Sequence, residues 1–139
     1  MGPLFEEVLA HYGDDASLVF KHFPLSFHKK AQLAAEATMA AHAQGKFWEY
    51  SDLVWANQKQ IDRPDLEANA EKLGLDMAKF RKALDDGEFA ARVKEDFALG
   101  QRSGVGGTPT IFVNGRKYQG PRTGKQMVEI LDREILNKQ

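Results

Sequence analysis

The sequence predicts an α/β domain, and three observations carry that expectation. Residues 17–23, SLVFKHF, are apolar on both alternations apart from Lys21 and His22, as in a strand buried on both faces of a partly parallel sheet. The middle of the chain is dominated by helical periodicity punctuated by glycines and capping aspartates. Residues 104–120, GVGGTPTIFVNGRKYQG, place Gly104, Gly106 and Gly107 before Thr108-Pro109, then a β-branched and aromatic run, then Asn114-Gly115. Asn-Gly suits a two-residue type I′ turn because both central positions need positive φ. A hairpin with strands at 110–113 and 116–119 is therefore expected, with Pro109 at its mouth because proline cannot donate to a ladder.

The elements follow in order. Leu4, Phe5, Val8, Leu9 and Tyr12 share one helical face over residues 3–12, with Pro3 in the first turn and Gly13 as the stop. After the strand, closed by Pro24, Ser26 is placed to cap a helix over 27–43. Its six alanines from Ala31 to Ala41 allow close approach of a neighbour. Residues 46–57 continue helically, their density of aromatics reading as core. Asp62 and Pro64 open a helix ending at Gly74, and Asp76 caps the next, in which Phe80 and Leu84 share a face. Phe89, Val93 and Phe97 mark a further helix running toward the glycine loop. Thr123, with Gln126 in capping-box spacing, starts a last helix that turns Met127, Ile130, Leu131 and Ile135 inward.

With 139 residues, 19 Lys and Arg against 20 Asp and Glu, and a net charge of −1, the chain reads as one domain over residues 1–139 with no polyelectrolyte partner. Lys29-Lys30 is expected in a solvated first helical turn. No run approaches the length of a membrane span, and Met1-Gly2-Pro3 does not read as a signal peptide. His11, His22, His28 and His42 lack metal-pair spacing, so no metal is expected. The glycine loop lacks the Gly-Lys-Ser/Thr ending of a phosphate loop, and no cofactor is expected. There is no cysteine.

Lys21-His22-Phe23-Pro24-Leu25, Gln44-Gly45-Lys46-Phe47-Trp48, Leu73-Gly74-Leu75-Asp76 and the proline loop with its hairpin occur in an order that resembles the DsbA-like disulfide oxidoreductases. The resemblance covers nearly the whole chain. It implies a thioredoxin-like fold with an inserted helical subdomain at about 26–103, and with the first central strand and its Cys-X-X-Cys missing from the chain. Truncation, donation of a strand by a second chain, or closure of the remaining strands would each resolve that loss. Strand pairing between copies makes a homodimer the expected assembly.

What the resemblance implies about the site is a cis Pro109 in a loop of Gly107, Thr108 and Pro109, with Thr108 offering its backbone to an extended polypeptide substrate. It places Lys21, with His22 beside it, near the active-site disulfide. A lysine paired with a carboxylate there could hold a proton, or Lys21 could simply snorkel from the strand edge. The implied activity is thiol:disulfide exchange on exported cysteine-containing proteins, in the periplasm or another extracytoplasmic compartment. A thiolate is the nucleophile of that reaction, so this cysteine-free chain cannot carry it out by itself. A non-catalytic peptide-binding module and a glutathione-handling enzyme stand as alternatives.

Overall fold

The computed structural model describes the backbone of residues 2–136, with side chains through residue 134. The chain divides into two compact units, residues 21–108 and residues 1–20 joined with 109–139.

The first of these is helical: α1 (Ala31–His42), α2 (Phe47–Ala56), α3 (Arg63–Lys72), α4 (Met77–Asp85) and α5 (Ala90–Arg102). The alanine face of α1 buries Ala34, Ala37, Ala40 and Ala41. Methyl-sized side chains let the larger groups of the other helices, Tyr50, Val54, Leu66, Phe80 and Leu84, close on it. Tyr50 is fully buried, and its hydroxyl donates to the Leu66 carbonyl at 2.9 Å, so the polar tip is not stranded in the core. Burial drives its pKa upward. The helix starts are set where the sequence signals them. Asp62 and Asp65 form a reciprocal capping box at α3, with Pro64 in its first turn. Asp76 accepts from the Lys79 amide at 3.1 Å to cap α4. Gln44 holds Asp76 from both sides, accepting from its amide at 2.7 Å and donating to its carbonyl at 3.2 Å.

In the other unit, α6 (Pro3–Tyr12) and α7 (Gly124–Leu131) pack on each other beside a two-stranded antiparallel sheet of β1 (Ile111–Val113) and β2 (Arg116–Tyr118). The register pairs Ile111 with Tyr118 and Val113 with Arg116. Asn114 and Gly115 both have positive φ, 48° and 79°, as the type I′ turn requires. Val8, Met127 and Leu131 form the buried centre, backed by Tyr12, Ile111, Val113 and Tyr118. A Cβ on Gly124 would come within 2.5 Å of the Glu7 Cβ, so glycine is what lets α6 and α7 approach this closely. The Tyr12 hydroxyl donates to Asp132 at 2.9 Å, and burial together with that carboxylate pushes its pKa up to about 12.

Three expectations are corrected. Residues 17–23 form no strand: the β1–β2 hairpin is the whole sheet among the described residues. A strand is defined by its ladder, and among the described residues a ladder forms only between β1 and β2. The helix expected over 27–43 starts only at Ala31, and Ser26 does not cap it. Successive turns close by His28 N–H to Leu25 O at 3.0 Å and Ala31 N–H to His28 O at 2.9 Å occupy residues 25–31 first, and Lys29-Lys30 lies in those turns. The Thr123 hydroxyl donates to the Gln126 side chain at 2.7 Å and makes no bond to the helix backbone. The Ile135 side chain lies outside the described residues.

Candidate functional site

The glycine loop is prepared by the end of α5. Gly104, at φ 78°, follows the helix, and the Val105 amide reaches back to the Gly100 carbonyl at 2.9 Å. This is the hydrogen-bond pattern of a Schellman stop, and it accounts for the first glycine. Gly106 and Gly107 are different, since neither has a positive φ and a Cβ on either would meet nothing within 4 Å.

Beyond them Thr108 is exposed, and its backbone N–H and C=O bond to no other described residue. A donor and an acceptor left open in one exposed residue can pair with another chain. On the hairpin unit, Pro109 is exposed and its carbonyl accepts from Arg122 Nη2 at 3.1 Å. That bond fixes the backbone just before β1.

Lys21 and His22 are brought together by a residue that the sequence reading left out. Asp96 is 5% exposed on α5, and its Oδ2 accepts from the His22 amide at 3.1 Å. Its Oδ1 lies 3.3 Å from Lys21 Nζ and 3.6 Å from Arg92 Nε. A carboxylate this deep needs such donors to offset the loss of water. Asp96 is thus the partner of Lys21. Lys21 keeps 43% of its side chain exposed, so the pair sits at the edge of the core with the acid inside and the ammonium reaching out. The signal was available: Asp96 falls between Val93 and Phe97 on the apolar face of its helix, where a solvated carboxylate has no place.

The His22 imidazole is buried, and burial pushes its pKa down to about 4; Asp96 opposes that shift and Arg92 adds to it. At neutral pH it is uncharged, a packing group edge-on to Phe47 with ring centroids 6.2 Å apart. Phe23 continues the contact along α5, stacking on Phe97 at 4.4 Å. A Cβ on Gly100 would fall 2.6 Å from the Phe23 ring, so that helix position admits the aromatic only as glycine. Lys21, His22 and Phe23 are therefore docked residue by residue onto one face of α5.

Known proteins place this arrangement. A thioredoxin-like oxidoreductase from Silicibacter pomeroyi DSS-3 superposes with a TM-score of 0.71 over 95% of this chain and 79% of its own, at 24% identity, which establishes the fold. Among curated relatives, the Na(+)/H(+) antiporter NhaA 3 of Salinispora tropica is 44% identical over 86% of this chain and 18% of its own length. The Na(+)/H(+) antiporter NhaA of Herminiimonas arsenicoxydans is 36% identical over 92% of this chain and 20% of its own. The chain thus spans about a fifth of the length of the curated relatives it matches. The model of the DSBA-like thioredoxin domain matches residues 6–135, and the chain belongs to that family.

Proposed function

We propose that the chain is the polypeptide-docking portion of a DsbA-like thiol:disulfide oxidoreductase domain that acts on exported, cysteine-containing proteins, and that in its cysteine-free form it binds without catalysing. The exposed Thr108, with both backbone hydrogen-bonding groups open, is the observation that carries this reading. An extended substrate would pair with it as a strand pairs with a sheet edge, and Pro109 in the cis form would hold that edge open. Lys21, with Asp96 as counter-ion and His22 neutral beside it, is the charge assigned to the neighbourhood of the redox centre. Function in the periplasm or another extracytoplasmic compartment follows from the substrates. A homodimer through strand pairing is the proposed assembly, and light scattering should then give a mass above that of the 15.6 kDa monomer; a clean monomer contradicts it.

The absence of cysteine favours a second reading, a peptide-binding module with no redox partner reaction. Ion exchange is not carried over from the antiporter names. No helix among the described residues is long and apolar enough to cross a membrane. The match to about a fifth of each such relative fits a domain borne by a larger polypeptide whose named activity resides elsewhere.

The test is an amide-resolved NMR titration with a short unstructured peptide in which serine replaces cysteine. Shifts centred on Gly107, Thr108 and the start of β1 are expected, and they should vanish when the peptide carries backbone N-methyl groups. Shifts elsewhere with none at Thr108 would overturn the docking role. The same sample should give no dithiol-dependent reduction of insulin; turnover would overturn the claim that it is catalytically silent.

A further inference from the structure

One end of the helical unit gathers aromatic and basic side chains. Helices α1 and α2 are joined by only four residues, 43–46, so the N-terminus of α1 and the C-terminus of α2 lie at the same end. The start of α3 is held there too, because Lys30 Nζ reaches Asp62 at 2.8 Å. Phe27, in the turns before α1, is 73% exposed, and Trp55, in the last turn of α2, is 38% exposed. Lys29 and Lys59 flank them and enter no ion pair among the described residues. Asp62 is matched by Lys30, and the exposed Asp52 stands one turn before Trp55 on α2. No acid occurs in residues 16–35 or 53–61, although the chain as a whole carries a net charge of −1.

We propose that this end of the helical unit docks on the surface of an anionic lipid bilayer. Rings of this kind settle at the headgroup level, and lysines beside them reach anionic headgroups while their stems stay apolar. Two free cations are too few for a polyelectrolyte such as nucleic acid, whose binding scales with the number of phosphates neutralised. A hydrocarbon ring as exposed as Phe27 gains most from an apolar phase. The inference rests on this surface alone and is independent of the thiol and peptide reading above.

The experiment uses the full chain with Trp48→Phe, which leaves Trp55 as the single fluorescent reporter. Vesicles of phosphatidylcholine with phosphatidylglycerol should shift its emission to the blue, and vesicles of phosphatidylcholine alone should not. Added salt should weaken the effect, and Lys29→Glu with Lys59→Glu should lower partitioning by at least about thirtyfold. Phe27→Ser should weaken it further with the circular dichroism unchanged, since every substituted side chain but Trp48 is exposed. No partitioning, partitioning indifferent to the lysine reversals, or binding to polyglutamate without binding to vesicles would overturn the proposal.

Discussion

Residues 21–108 and the unit that carries the hairpin are stabilised by different means. In the helical unit several large side chains are fully buried: Tyr50, Phe80, Leu66 and Val93 are all at 0% exposure. In the hairpin unit no side chain among the described residues is fully withdrawn, with Val8, Met127 and Leu131 at 8%, 3% and 5%. Its strands are three residues long each, and a lone two-stranded hairpin is marginal in water without a further strand or a helix to cover it. Exposed Val19 and Phe20, in the segment that the sequence reads as a strand, belong to the same unit. The difference teaches that burial is concentrated in the helical unit, which ends at Thr108, while Pro109 and the strand that follows it stand on the thinner half.

The largest expected effect breaks the comparison at its stronger side. Phe80→Ala should cost about 3–5 kcal/mol, since the ring is fully buried and packs on Tyr50 at 5.8 Å. Both tryptophans, Trp48 and Trp55, lie in the helical unit, so urea unfolding followed by their fluorescence reports that unit. Met127→Ala, at the centre of the smaller cluster, should move the same transition by about 2 kcal/mol, the low end for a buried methionine. Equal shifts from the two substitutions would erase the distinction.

A smaller effect, confined to acid, sharpens it. An unfolded His22 takes up a proton near pH 6.5, whereas the native one resists until about 4. Below pH 6.5 the unfolded state therefore binds more protons than the native state, and stability falls as pH falls. The contribution is complete above pH 6.5 and is lost down to about 4, amounting to at most about 3 kcal/mol. His22→Gln should flatten this part of the pH dependence of the tryptophan-reported transition. An identical slope in the variant would show that His22 is not its source.

What the sequence made legible and what it hid follow from the range of the forces involved. Asp62 with Pro64, Asp76, and Asn114-Gly115 act on backbone within a few residues of themselves, and each appears where the sequence places it. Residues 17–23 have the composition of a strand, but pairing is a property of two segments, and among the described residues only β1 and β2 form a ladder. Ser26 is a good cap in isolation, yet the turns that end at Ala31 claim the backbone first. The candidate site was legible as Lys21, His22 and the Gly107–Thr108–Pro109 loop. Asp96, 74 residues beyond His22, was overlooked because its role is tertiary, although its place on an apolar helix face marked it.

Hydrogen exchange of the backbone amides tests the difference in stability between the two units, and the proposed docking at Thr108, most directly. Amides of α1, α2 and α4 around Ala37, Val54 and Phe80 should exchange only through global unfolding. Those of β1 and β2 should exchange through local opening at a much lower free energy, with Thr108 unprotected until an extended peptide is added. Protection of the hairpin equal to that of the helices, with Thr108 already shielded in the free chain, would contradict both halves of the claim.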